Sequence, residues 1–249
     1  MSLEKKNVVI VGAAGVVGSG VVRKFLDAGA TVVGVSRKAE NLAKVRETVK
    51  IGAGEPFLGV VADFKDEGTA EAAGKAVLAS LGGQAIDHVV SVQGFVIPAK
   101  DPTQCSAESV ETALREGLIN NFLAAKTFLP AMKGREGSSF TLVSGGLAHI
   151  PPPVTAVWLG TLKNAALNAF QFALTAETAK DKVRVNTVCI HFGVAPVGGT
   201  KNQLGMDTED DTLRLAPAFV AIARGTQKGQ LLCLSSFADA DKLAGVPSA

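Results

Sequence analysis

The chain has 249 residues, 47% hydrophobic and 19% charged, with a formal net charge of +2. That length holds one large α/β domain able to bury a core without cross-links, and the composition excludes a disordered chain. The small net charge, with no cluster of Lys and Arg on one helix face, argues against a nucleic-acid partner, and no apolar run reaches the ~18–20 residues of a membrane-spanning helix.

Residues 1–7 lead straight into the first apolar run, so no signal peptide is expected. Residues 8–11, Val-Val-Ile-Val, read as a buried parallel strand. A turn almost free of side chains follows, Gly12-Ala13-Ala14-Gly15-Val16-Val17-Gly18, and then a helix over 18–27. A backbone without Cβ atoms can bring its N–H groups against a diphosphate, and the helix N-terminus adds about half a positive charge there. Glycines also serve βα turns that hold no ligand, so this spacing alone leaves both readings open. Further strands are predicted at 31–35, 57–62, 88–92, 140–143, 184–190 and 230–234, and further helices at 39–50, 67–80, 107–132, 157–180 and 212–224. Strands apolar on both faces, alternating with helices, predict an α/β fold: a doubly wound parallel sheet of about seven strands with helices on both faces, one domain over 1–249. Pro151-Pro152-Pro153 is a rigid extended stretch after the fifth strand. Residues 193–211, rich in Gly, Pro, Thr and Asp, form the best candidate for a mobile loop over a site. Cys105, Cys189 and Cys233 are few, odd in number and widely spaced, which suits free thiols in a reducing cytoplasm and offers no metal-ligand spacing.

In a doubly wound sheet the ligand lies beyond the carboxyl ends of the strands. The segments there are 12–18, Ser36-Arg37-Lys38, Asp63, Ser91-Val92-Gln93-Gly94, Ser144-Gly145-Gly146 and 191–195. Taken together they resemble the short-chain dehydrogenase/reductase family, from residue 8 to residue 235. Gly12, Gly15 and Gly18 resemble its nucleotide turn in the G-x-x-G-x-x-G version. Asp63 is similar to its aspartate beside the adenine, and 86–94 to its fourth strand, with only Gly94 left of the N-N-A-G ending. Lys163-Asn164-Ala165-Ala166 resembles the segment that begins at the active-site lysine, and 183–188 its sixth strand. The resemblance implies coenzyme contacts at Gly12, Gly15, Val16, Val17 and Gly18, at Ser36, Arg37 and Lys38, at Asp63 and Phe64, at Val92, Gln93 and Gly94, and at Lys163 and Val194. It also implies pairing of the two long helices, whose apolar faces carry Phe122, Leu123, Phe128 and Leu129 on one and Leu167, Phe170, Phe172 and Leu174 on the other, across a homodimer or homotetramer interface; plain intramolecular core competes with that.

The departures concern the chemistry. The family's tyrosine lies four residues before the lysine, where this chain has Leu159, and the chain contains no tyrosine at all. The family's helical asparagine falls on Gly117, for which close packing is the competing reason. Of the usual catalytic positions Ser144 and Lys163 remain, with Gly145 able to take the place of Ser144. Ser36-Arg37 suits the 2′-phosphate of NADP(H) better than the free ribose hydroxyl of NAD, since a guanidinium fork matches a phosphate; a solvated helix start is the bland alternative. Asp63 either borders the adenine or caps the next helix. His149 and His191, on loops at the ligand end, are the residues able to replace the missing acid, or they are polar surface. Two functions follow: a cytoplasmic NADP(H)-dependent oxidoreductase acting on a small carbonyl or alcohol through a non-standard proton donor, or a catalytically silent NADP(H)-binding protein acting as a sensor or assembly partner.

Overall fold

A computed structural model describes residues 2–94, 99–149 and 157–246. Seven strands, β1 (Asn7–Val11), β2 (Thr31–Ser36), β3 (Phe57–Val61), β4 (His88–Ser91), β5 (Ser139–Gly145), β6 (Arg184–Ile190) and β7 (Leu231–Leu234), form one sheet in the order β3-β2-β1-β4-β5-β6-β7. Every pairing is parallel. The chain runs from β1 outward to β3 and returns on the other side of β1 to begin β4, so a crevice opens where the order reverses. Val11 pairs with Ser91, which sets the turn after β1 beside the segment leaving β4.

The helices are α1 (Val16–Asp27), α2 (Ala39–Thr48), α3 (Glu67–Ser80), α4 (Ala107–Leu114), α5 (Asn120–Met132), α6 (Trp158–Glu177), α7 (Thr212–Leu215), α8 (Pro217–Arg224) and α9 (Phe237–Ala244). β1 is buried at every residue, and its side chains alternate between two cores. Val8 and Ile10 join Phe25 of α1, Phe219 of α8 and Phe237 of α9 on one face. Val9 and Val11 join Val77 of α3, Phe128 of α5 and Leu167 of α6 on the other. Among the described residues no helix is long and apolar enough to cross a membrane.

Four elements differ from the sequence expectation. The single helix predicted over 107–132 is α4 and α5 joined by a π-helical turn, Arg115–Ile119. Gly117 sits in that turn, and a Cβ there would lie 2.8 Å from Lys163 Cβ, so α6 approaches closely. The helix predicted over 212–224 breaks at Ala216, ahead of Pro217, which has no N–H to continue the ladder. β5 runs on to Gly145. The unpredicted α9 starts at a capping box in which Ser236 and Asp239 satisfy each other's backbone N–H groups. The 193–211 segment carries its own bridge between Lys201 and Asp207, closed around Asn202 Oδ1, which accepts from Leu204 N and Met206 N. Pro151-Pro152-Pro153 lies outside the described residues.

Candidate functional site

The crevice is built around Gly12. Its φ of +85° is open to glycine, and a Cβ there would lie 2.2 Å from Val92 O. Gly12 N and Ala13 N both donate to Val35 O, at 3.1 Å each, and Gly15 N donates to Gly12 O at 3.0 Å. Gly15 is the N-cap of α1 and has no side chain to cap it, so among the described residues the first N–H groups of that helix have no capping acceptor. The cleft is lined at this turn by Gly12 and Gly15, at the end of β2 by Ser36 and Arg37, after β3 by Asp63 and Phe64, and after β4 by Val92, Gln93 and Gly94.

The other coenzyme positions implied by resemblance sit differently. Gly18 is buried beneath the turn, where a Cβ would lie 2.2 Å from Gly12 O. Val16, Val17 and Val194 pack into the core on the α1 face. Lys38 is the N-cap residue of α2, its ammonium 3.7 Å from Glu40. Asp63 accepts from Phe64 N at 2.8 Å, and the cap of α3 is Asp66 instead. The lining also includes Asn41, Glu116, Asn120 and Gln203, which sequence reasoning missed. Asn41 lies in the first turn of α2, four residues after Arg37, a signal that was available. Glu116 and Gln203 arrive only through the π turn and the 193–211 segment. Arg37 reaches Glu116 at 3.4 Å and stays 60% exposed at its side chain.

A polar network secures the exit of β4. Ser91 Oγ donates to Asn121 Oδ1 at 2.7 Å, and Asn121 Nδ2 donates to Gly117 O at 2.8 Å and Gln93 O at 3.3 Å. Gln93 Nε2 donates in turn to Asn120 O at 3.0 Å. Lys163 enters from α6. Only 6% exposed, it rests its stem on Gly117 and brings Nζ beside Gly94, where a Cβ would lie 3.1 Å from it. Among the described residues it makes no ion pair. Burial pushes the ammonium down to about 8, and the Glu116 carboxylate opposes that.

Ser144 is buried in β5, and its hydroxyl donates to Asn164 O at 3.4 Å rather than lining the cleft. A Cβ on Gly145 would lie 2.7 Å from Asn164 Nδ2, so the amide of Asn164 fills the place of a side chain there. Leu159, one turn before Lys163 on α6, is fully buried. His149 and His191 are brought together at the ends of β5 and β6, with ring centroids 5.4 Å apart. Burial, with His149 adding to it, lowers the His191 imidazole.

The arrangement joins a bare anion-receptive turn and a guanidinium around one crevice, with a buried amine behind Gly94 on its wall. The short chain dehydrogenase profile matches residues 6–203. An uncharacterised oxidoreductase of Mycobacterium bovis is 28% identical over 192 residues, 75% of this chain and 54% of that protein; the chain thus spans about half the length of that curated relative. A dehydrogenase/reductase from Sinorhizobium meliloti superposes with a TM-score of 0.80 at 18% identity, covering 95% of this chain and 96% of that one. A 3-ketoacyl-(acyl-carrier-protein) reductase from Brucella melitensis, complexed with NADH, gives 0.80 at 23% identity over 94% and 98%.

Proposed function

This chain belongs to the short-chain dehydrogenase family, and on that premise we propose that it is an NADP(H)-dependent oxidoreductase that moves a hydride to or from a small carbonyl or alcohol, with a proton donor other than the family's tyrosine. One observation carries the reading: the glycine turn, Arg37 and Gly94 line the same crevice, and the buried Lys163 ammonium lies directly against Gly94. These residues fit a nicotinamide dinucleotide. Gly12 and Gly15 leave the N-terminal N–H groups of α1 open to a diphosphate. Arg37, exposed and with a carboxylate as its partner, can take a 2′-phosphate bidentately. Lys163 can donate to ribose hydroxyls, and at pH 7 it carries its proton.

When bound, the coenzyme supplies the hydride chemistry. The chain's own residues then do three things. The Ser91–Asn121–Gly117 network holds the end of β4 at a fixed position beside the glycine turn. Lys163 orients the sugar. No phenol can exchange a proton with the substrate oxygen, so water or an imidazole does; losing a positioned acid costs ~10²–10⁴ in rate. A second reading, a silent NADP(H)-binding protein, draws on two features: Leu159 is fully buried, and the Ser144 hydroxyl is engaged by Asn164 O. Leu123, Phe128, Leu129, Leu167 and Leu174 are taken up by the intramolecular core, so the homodimer or homotetramer we propose for either reading would pair α5 and α6 through what they leave exposed, Phe122 at 41% and Phe172 at 57%.

The test is a titration of the full chain with NADPH and NADH, read by coenzyme fluorescence. NADPH is expected to bind more tightly, and Arg37→Ala to weaken NADPH about tenfold with little change for NADH. No saturable signal from either coenzyme overturns both readings. A panel of small carbonyl substrates, scored for NADPH oxidation, then separates enzyme from silent binder.

A further inference from the structure

We infer that His149, His191 and Cys233 form a binding site for a zinc-class divalent ion at the carboxyl ends of β5, β6 and β7. Their metal-ligating atoms all lie within 4.8 Å of one another, the one such convergence of three His, Cys, Asp or Glu side chains among the described residues. The sheet register makes this happen. Gly145 pairs with Ile190 and Ile190 with Leu234. Cys233 and His191 flank that row, and the short helix Gly146–Ala148 turns the chain so that His149 comes over it. Positions 149, 191 and 233 are far apart in sequence, which is why no ligand spacing is visible there.

Two local features favour an ion at the cluster. His191 Nε2 is buried with no hydrogen-bond partner among the described residues, which leaves a buried nitrogen in want of one. Gly146 admits the imidazole: a Cβ there would lie 2.6 Å from His191 Cγ. Behind the cluster, Asn168 accepts from Cys189 Sγ at 3.8 Å through Oδ1 and donates from Nδ2 to His149 Nε2 at 3.2 Å, a bond that must give way, or reverse by a turn of the amide, when His149 takes the ion. Two imidazoles and one thiolate suit zinc, cobalt or copper and not calcium or magnesium. A tetrahedral ion with bonds of about 2.0–2.3 Å wants donors roughly 3.5 Å apart, so binding requires the exposed His149 and Cys233 side chains to turn inward. Three protein donors leave the fourth position to water, and with both imidazoles engaged water is then the proton source that the proposed reaction uses.

The experiment uses the untagged full chain, stripped with a chelator, and titrates cobalt(II) as the spectroscopic probe. A thiolate-to-cobalt charge-transfer band in the near ultraviolet, saturating at one equivalent and bleached by zinc, is the expected result. Cys233→Ser, on an exposed side chain of the edge strand, is expected to abolish that band, and His191→Gln to weaken cobalt binding at least about tenfold. Cys105→Ser is expected to change neither. Absence of the band in the parent protein, or its survival in Cys233→Ser, overturns the site.

Discussion

Gly12 and Gly15 look alike in the sequence, yet different physics holds each. Gly12 adopts a φ of +85° with the Val92 carbonyl in the place of a Cβ, so Gly12→Ala strains the backbone and drives β1 from β4. It is expected to cost at least ~2 kcal/mol in urea unfolding. Gly15 has an ordinary φ of −75°, and a Cβ would meet nothing nearer than Gly12 O at 3.3 Å. Gly15→Ala is expected to shift stability by no more than ~1 kcal/mol, the cost of a poorer N-cap, while coenzyme affinity, read by fluorescence titration, falls about tenfold as a methyl enters the crevice. Equal destabilisation by both would contradict this division. The spacing of the glycines was legible in sequence, as were Ser36, Arg37, Asp63 and Gly94 at the strand ends. The direction of the Ser144 hydroxyl was not: it depends on how closely α6 comes to β5, which strand alternation does not encode.

At the scale of elements, α6 is the least legible. Its length was readable, but its buried side carries Lys163, Asn164, Asn168 and Gln171, whereas Phe172 is exposed. A stripe in which polar residues face inward cannot be oriented by hydrophobic periodicity. The same helix packs closely on the π turn of its neighbour, where the stem of Lys163 occupies the space that Gly117 leaves. Leu159 shares the buried face of Lys163 and has no exposure. Placing a phenol there is therefore first an overpacking problem. Leu159→Tyr is expected to destabilise the chain by ~1–3 kcal/mol, measured by denaturant midpoint. Unchanged stability together with a gain in carbonyl turnover would show instead that the ring turns into the crevice.

For the whole molecule, strand–helix alternation was enough to foresee the parallel sheet and therefore which end holds the ligand, since only the carboxyl ends of the strands meet at the reversal of strand order. What alternation could not foresee is that the two ends of the sheet titrate on opposite sides of neutrality. At the amino end of β4, His88 is buried with Nδ1 2.9 Å from Ser139 Oγ, and burial pushes its imidazole from 6.5 to about 4. At the other end burial pushes Lys163 from 10.5 to about 8. Both shifts disfavour the charged form, so in both windows the unfolded chain binds more protons than the folded one, and stability rises with pH. Acid costs stability from about pH 6.5 down to about 4. Alkali restores it from about 8 up to 10.5, each by about 3 kcal/mol. Urea unfolding of the coenzyme-free chain across pH 4 to 10 is expected to show both rises. His88→Asn should flatten the acid rise alone. Lys163→Met should flatten the alkaline rise alone, and should be more stable than the parent at pH 7, because it no longer confines a buried ammonium that makes no ion pair among the described residues. A Lys163→Met variant less stable than its parent at neutral pH would mean that the amine has a counter-charge when the protein is folded, and that its place beside Gly94 is an ion pair rather than a site kept for a ligand.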